Sequence, residues 1–114
     1  MHLERNKLYE RAKDFFGVNG SAVMKLSPSA AVDVCLAAAR NGLVVARVEG
    51  GIWHDPGFEA RGDCIWDGAN PPLDEAAAER NNLEAAEFIR EESAEHTAFV
   101  VTAPPTQGWP HQRP

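Results

Sequence analysis

The sequence predicts an α+β domain, a small and mainly antiparallel sheet with two to three helices packed on it. Three segments have helical periodicity, three others have strand-like patterns, and Gly, Pro and Asn clusters separate them. The predicted order is helix, helix, strand, strand, helix, strand. A chain of 114 residues is long enough for a single core. We expect the domain to cover residues 1–103, with a proline-rich C-terminal tail at 104–114.

The first half of the chain predicts two helices. Residues 3–16 place apolar side chains on one side with charges between them, and Gly17 ends the segment. Residues 21–26 are compatible with either a connector or a short strand. Ser27, followed by a proline, is a typical helix start, and the helix at 30–40 is apolar nearly all round. We therefore expect it to be buried on most of its surface.

Strands are expected at 43–49, 58–66 and 96–103, with a turn at Gly50 and Gly51 after the first. The last is continuous enough in apolar residues to be either central in the sheet or covered on both faces, and the strand order is left open. The second alternates, which predicts one buried and one charged face. The side chains expected inside are Phe58, Ala60, Gly62, Cys64 and Trp66, and those expected outside are Glu59, Arg61, Asp63 and Ile65.

The longest helix is predicted at 73–92, because acids at 74 and 75 suit the positive end of a helix dipole. Its inner stripe is expected to be Ala78, Leu83, Ala85, Ala86 and Ile89. The tail at 104–114 is expected to lack regular structure unless Trp109 docks it.

Charge is divided unevenly along the chain. Residues 1–48 have a balance of +3 and residues 49–114 a balance of −9, which gives the net charge of −6. An acidic surface attracts basic partners and speeds their encounter. It argues against a nucleic-acid partner, which needs clustered Lys and Arg. No apolar stretch reaches the roughly 20 residues that span a bilayer, so no membrane partner is expected.

Two cysteines, Cys35 and Cys64, lie far apart in apolar surroundings, as reduced core residues do in cytosolic proteins. The first residues lack a basic segment followed by an apolar one, the pattern of a secretory signal. We therefore expect a cytoplasmic protein. Neighbouring Asp63 and Asp67 would raise the pKa of Cys64, which disfavours a nucleophilic role.

The segment around His54 is the strongest candidate for chemistry. Asp55 and Glu59 are near it in sequence, and a histidine beside acids is what a general base or a metal site requires. Adjacent residues do not aim at one point, however, and the other histidines have no metal-ligand spacing to it. We interpret the segment as a turn and expect no catalytic residue, metal site or cofactor. A small enzyme using His54 with Asp55 or Glu59 remains the alternative.

Acidic side chains form two candidate binding surfaces. Glu84, Glu87, Glu91 and Glu95 fall on one helical face, with Arg80 as the expected counter-charge. That face is either simply solvated or left unneutralised for a basic partner. The second surface is on the predicted strand pair and consists of Trp53, Asp55, Phe58, Glu59, Asp63 and Asp67. We predict that the strand surface binds the partner, since it has aromatic anchors among its acids, which the helical face is expected to lack.

A small, acidic α+β domain without a catalytic constellation resembles the immunity proteins of bacterial toxin–immunity systems. These include contact-dependent growth-inhibition systems and barstar-like nuclease inhibitors. The resemblance covers residues 1–103 in size and charge, and the segment 50–68 is similar in character to such proteins. It implies an inhibitor, monomeric when free, that binds a basic toxin domain, typically a nuclease, and covers its active site with acids that mimic phosphate. An accessory subunit of a larger assembly is a further alternative.

Overall fold

The computed structural model describes residues 3–18 and 23–108, which form three α-helices and a five-stranded sheet. This architecture confirms the predicted α+β class. In chain order the elements are β1 (Leu8–Tyr9), α1 (Ala12–Phe16), β2 (Lys25–Leu26), α2 (Pro28–Ala38), a 3-10 turn (Ala39–Asn41), β3 (Arg47–Trp53), β4 (Phe58–Asp67), α3 (Glu75–Glu92) and β5 (Ala98–Thr102). Among the described residues, no helix is both long and apolar enough to cross a membrane.

The sheet has the order β1-β2-β5-β3-β4. Only the β1–β2 pair is parallel, and the other pairs are antiparallel. β5 is central, one of the two alternatives that its continuous apolar run allowed, and Phe99 and Val101 are completely buried. Strand β4 is at the edge, which leaves one side of it open to a partner.

Helices α2 and α3 pack against each other over one face of the sheet. The start of α2 follows the predicted signal, since the Ser27 hydroxyl accepts a hydrogen bond of 3.3 Å from the Ala30 amide. Gly42, at φ 76°, ends the following 3-10 turn in the left-handed region that glycine adopts without strain. The helices and the sheet share a core of Val34, Cys35, Ala38, Val45, Val48, Cys64, Ala85, Ala86, Ile89, Phe99 and Val101.

The inner stripe of α3 differs from the prediction at one position. Leu83 is 49% exposed, and its neighbour Asn82 is buried instead. Asn82 Oδ1 accepts a hydrogen bond of 2.8 Å from the Val45 amide, and its amide group donates one of 3.2 Å to the Leu43 carbonyl. A polar residue is inside because it satisfies backbone groups that no strand pairs.

The predicted helix at 3–16 is wrong in its first half. Leu8 and Tyr9 form β1 and pair with β2, and only residues 12–16 are helical. Tyr9 is 1% exposed, and its hydroxyl accepts a hydrogen bond of 2.9 Å from the Glu4 amide. Long-range pairing therefore overrides the local helical pattern. At 21–26, the strand alternative is confirmed for Lys25 and Leu26.

The first predicted strand is shifted along the chain, and the predicted turn at Gly50 and Gly51 is wrong. Both glycines lie inside β3, which runs from Arg47 to Trp53. A β-carbon on Gly50 would overlap with Cys64 Sγ and the Phe99 ring, and one on Gly51 would overlap with the Glu59 carbonyl. The glycines thus permit close approach of neighbouring strands rather than a reversal.

Residues before and after the sheet core are joined by backbone hydrogen bonds. The Val44 amide donates to the Pro104 carbonyl at 2.9 Å, and the Thr106 amide donates to the Gly42 carbonyl at 2.7 Å. The beginning of the predicted tail is therefore fixed to the body. Trp109, the residue expected to dock it, lies outside the described residues.

The alternation predicted for β4 is interrupted. Trp53 pairs with Phe58 and Val48 pairs with Trp66, but the register shifts between them, opposite Gly50. Across this bulge β4 has three more residues than β3. Because three is an odd number, the even-numbered residues of β4 lie on one face of the sheet at one end of the strand and on the opposite face at the other end. Cys64 is buried as predicted, whereas Ala60 and Gly62, expected inside with it, are exposed.

Candidate functional site

The far ends of β3 and β4 project beyond the rest of the sheet. Pairing between β3 and β5 stops at Gly51, opposite Ala98, whereas β3 and β4 stay paired to Trp53 and Phe58. We call residues 52–63 the ribbon. Its residues are half-buried or exposed throughout, on both faces. Two strands alone bury little surface, so the ribbon presents its backbone edge and side chains to any partner.

The ribbon turns at 54–57, which confirms the predicted turn. The His54 amide donates a hydrogen bond of 2.8 Å to the Gly57 carbonyl, and Gly57 has a φ of 122°. Trp53 and Phe58 pair with each other on either side of this turn, and both are half-buried. The Trp53 amide donates a hydrogen bond of 2.8 Å to the Thr97 hydroxyl. The turn thus holds two aromatic rings beside an acidic tip.

The predicted strand surface contains two kinds of carboxylate. In the described part of the chain, Asp55 and Asp63 are exposed and form no ion pair. Asp67, by contrast, is the last residue of β4 and pairs with Arg47 at 3.5 Å. The bulge separates Glu59 from Asp63, so the unbroken strand face that was expected to join them does not exist.

Glu59 is neutralised by its neighbours. His54 Nε2 lies 2.8 Å from Glu59 Oε1, and Arg61 Nε lies 3.1 Å from Glu59 Oε2. The hydrogen bond with His54 and then the charge of Arg61 hold the pKa of the Glu59 carboxyl below its usual range. The structure therefore brings His54 and Glu59 together, as the enzyme alternative required, but on a surface that is 60% and 48% exposed at the two side chains.

The helical acids line a depression of about 420 Å³ between α3 and β4. Its walls are Trp66, Leu83, Glu84, Glu87, Phe88 and Glu91. The expectation that this face lacks an aromatic residue is wrong, since Phe88 and Trp66 lie among its acids. Aromatic content therefore does not distinguish the two surfaces. A second depression, of about 350 Å³, lies between α2 and the end of α3, and His54 lines neither of them.

Two features of the helical surface differ from the prediction. Helix α3 ends at Glu92, so Glu95 lies in the following turn rather than on the helical face. Glu87 pairs with Arg90 at 3.6 Å, so Arg80 is not its counter-charge. Glu84 and Glu91 form no ion pair among the described residues.

A third cluster, which the sequence did not reveal, lies beneath the base of the ribbon. Cys64, Glu92 and His96 bring three metal-binding atoms within 4.8 Å of one another. The only sequence signal was the four-residue spacing of Glu92 and His96, which places both on one side of the α3 end. Cys64 is 28 residues away, and only the packing of β4 on α3 brings it there. Cys64 and Cys35 are both buried, as expected of core cysteines, and both are free thiols in the structure.

Comparison with known proteins assigns the chain to a family. A sequence profile described as Colicin-E5 Imm protein matches residues 24–103. An "Immunity protein CdiI" from Burkholderia pseudomallei is 61% identical over 109 residues, 96% of this chain and 100% of that protein. The "Colicin-E5 immunity protein" of Escherichia coli and the "Colicin-E5 immunity protein in ColE9" of the same species are each 38% identical over 80 residues, 69% of this chain and 96% of the relative.

The matched range 24–103 contains the ribbon, the helical acids and the whole sheet except β1. Both candidate surfaces thus lie in the part that the relatives share. The chain belongs to the colicin E5 immunity protein family.

Proposed function

We propose that this immunity protein neutralises its toxin by placing the ribbon over the active site of a basic nuclease domain. The observation that supports this most directly is the projection of the ribbon beyond the sheet, with exposed acids and two aromatic residues. The toxin would be related to the one for which the colicin E5 immunity proteins are named.

A nuclease site carries positive charge because it holds phosphate groups. Carboxylates that approach such a site would occupy the positions of phosphates and exclude the substrate. Asp55 and Asp63 suit this role, since no intramolecular ion pair among the described residues competes for them. Glu59 is less available, because forming a contact with the toxin would compete with His54 and Arg61.

Tight binding also needs a desolvated anchor, since exposed charges mainly affect the association rate. Trp53 and Phe58 supply it on the ribbon. Both are half-buried in the free protein and lie next to the acidic turn, so a toxin surface that covered them would remove apolar area from water. The open edge of β4 offers backbone groups beside them.

The proposal is tested by two matched charge reversals. Asp55→Lys with Asp63→Lys changes the ribbon, and Glu84→Lys with Glu91→Lys changes the helical surface. Each double variant reverses two exposed carboxylates, so both change the net charge of the protein by the same amount. Neither breaks an ion pair among the described residues. Equilibrium affinity and association rate would be measured with the cognate toxin domain, after thermal unfolding has shown that each variant folds.

We expect the ribbon pair to weaken toxin binding by at least 100-fold, because like charges would meet across a desolvated contact. The helical pair should lower mainly the association rate, through the overall field. Loss of binding in the helical pair with normal binding in the ribbon pair would move the interface to the depression between α3 and β4.

We also propose that the protein has no catalytic activity of its own. His54, the candidate general base, is exposed and bonded to Glu59 rather than aimed into an apolar cavity. His54→Ala should therefore leave toxin neutralisation largely intact, and a loss of 100-fold or more in a folded variant that still binds the toxin normally would revive the enzyme alternative. We further infer a cytoplasmic monomer that binds no nucleic acid, which agrees with two thiols outside disulfides and a net charge of −6.

A further inference from the structure

The cluster beneath the ribbon joins three elements of the fold. Cys64 comes from β4, Glu92 is the last residue of α3, and His96 lies in the turn that leads to β5. Cys64 Sγ is 3.6 Å from Glu92 Oε1, and His96 Nδ1 is 3.4 Å from the same oxygen. None of the three belongs to the surfaces proposed to bind the toxin.

We propose that Cys64, Glu92 and His96 form a zinc site. The usual zinc bond lengths to thiolate sulfur, imidazole nitrogen and carboxylate oxygen, set at tetrahedral angles, place sulfur about 3.6 Å and nitrogen about 3.4 Å from the oxygen. The sulfur–oxygen and nitrogen–oxygen separations in the structure have these values, and all three atoms lie within 4.8 Å of one another. A water molecule would occupy the fourth position.

The histidine can be released for the metal without leaving a backbone group unsatisfied. His96 Nδ1 lies 3.1 Å from the Glu92 carbonyl oxygen, to which it donates when protonated. That carbonyl also accepts from the Glu95 amide at 3.0 Å and from the His96 amide at 2.9 Å. Two donors therefore remain when Nδ1 turns its lone pair to zinc and the proton moves to Nε2.

The charges of the site balance. Without a metal, the Cys64 thiol donates its proton toward Glu92 Oε1 across 3.6 Å. Zinc would replace that proton, and one thiolate, one carboxylate and one neutral imidazole cancel its two charges. A neutral site avoids the cost of leaving an unpaired charge at the edge of the core.

Solvent reaches the cluster through Glu92. Cys64 is completely buried and His96 is 8% exposed, whereas the Glu92 side chain is 36% exposed and opens the cluster to solvent. Gly50 lies against Sγ, and a β-carbon there would overlap with the sulfur, so glycine permits the position that Cys64 has beside Glu92. A bound ion would link β4, α3 and the start of β5 where the ribbon leaves the body of the protein.

The site is tested on the untagged, metal-free protein with zinc and with cobalt. We expect one zinc ion per chain by elemental analysis after dialysis, a rise in Tm of about 5 °C or more that a chelator reverses, and a thiolate-to-cobalt charge-transfer band. Cys64→Ser and His96→Gln should remove the band and the Tm rise. Cys35→Ala and His54→Ala delete a thiol and an imidazole outside the cluster and should keep both.

Glu92→Gln is included in case the variants of the buried residues fail to fold. The Glu92 side chain is half-exposed, and glutamine keeps a hydrogen-bonding group beside the thiol. It should weaken zinc binding by at least tenfold. Two results would overturn the site: a wild-type protein whose Tm does not respond to zinc, or a response that persists in Cys64→Ser, His96→Gln and Glu92→Gln. The first result would mean that the three side chains form a hydrogen-bonded cluster without a metal. The second would mean that zinc binds elsewhere on the protein. Neither result depends on toxin binding.

Discussion

Glu59 shows how single residues decide which acids of this protein are available. Its carboxylate is hydrogen-bonded to His54 and paired with Arg61, and both contacts favour the ionised form. Asp55 and Asp63, a few residues away on the same ribbon, carry no such partners among the described residues. The net charge of a surface therefore overstates the number of carboxylates that can bind a partner.

Removing His54 should change the titration of Glu59. In His54→Ala, the pKa of the Glu59 carboxyl is expected to rise toward its ordinary value, because the largest cause of the shift is gone. The pair stabilises the fold only above the unfolded-state pKa of Glu59, and this contribution is lost as pH falls through the lowered folded-state pKa. NMR titration of the side chain in both proteins measures the change. An unchanged titration in the variant would mean that Arg61 alone causes the shift.

Gly50 is constrained by contact rather than by its backbone angles. Gly50→Ala places a methyl group against Cys64 Sγ and the Phe99 ring, and should destabilise the protein by about 1–3 kcal/mol. Gly62→Ala is the matched control, since a β-carbon there meets nothing within 4 Å. Urea denaturation of the two variants measures the difference. Equal stabilities would show that β3 and β4 can separate to accept the methyl group.

Helix α3 holds the segment before β3 in place through one buried polar residue. Asn82 bonds to the amide of Val45 and the carbonyl of Leu43, two groups that have no strand partner. Its neighbour Asn81 bonds to the Val45 carbonyl at 2.8 Å. The helix thus supplies side-chain hydrogen bonds where the sheet ladder has not yet begun.

Asn82→Ala should destabilise the protein by about 2–3 kcal/mol, because it leaves the buried Val45 amide without an acceptor. Asn41→Ala removes an exposed hydrogen bond to the Ala37 carbonyl and should cost much less. Chemical denaturation measures both. A loss for Asn82→Ala no larger than that for Asn41→Ala would indicate that water replaces the lost acceptor.

On the scale of the whole molecule, the division of charge controls association. Both candidate surfaces lie within residues 49–114, whose charge balance is −9. A basic toxin should therefore be attracted from a distance, whichever surface it finally contacts. Affinity, in contrast, depends on the desolvated contact.

The association rate with the toxin should fall several-fold between low and physiological salt, because the screening length shortens from about 30 Å to about 8 Å. Stopped-flow measurements across a salt series test this, and the dissociation rate serves as the internal control because it should change much less. An association rate independent of salt would show that long-range charge does not steer the encounter.

Local signals in the sequence were sufficient for part of this protein. Ser27 was predicted to cap α2 and does so, and the acids at 74 and 75 marked the start of α3, where Asp74 is the cap. The wholly apolar residues 98–101 predicted a strand that is central or covered on both faces. The acidic half of the chain and the helical acids Glu84, Glu87 and Glu91 could also be located, since they depend on composition and helical spacing alone. These features are caused by interactions between residues close together in sequence, so the local sequence pattern is enough to predict them.

The tertiary structure alone decided the rest. Leu8 and Tyr9 are a strand because residues 25–26 pair with them, and Asn82 is inside because residues 43–45, some 37 to 39 positions away, need its hydrogen bonds. The bulge in β4 divides the predicted acidic strand face, and the packing of β4 on α3 assembles Cys64 with Glu92 and His96. Contacts between distant residues set these outcomes, and no local pattern of charge or hydrophobicity encodes them.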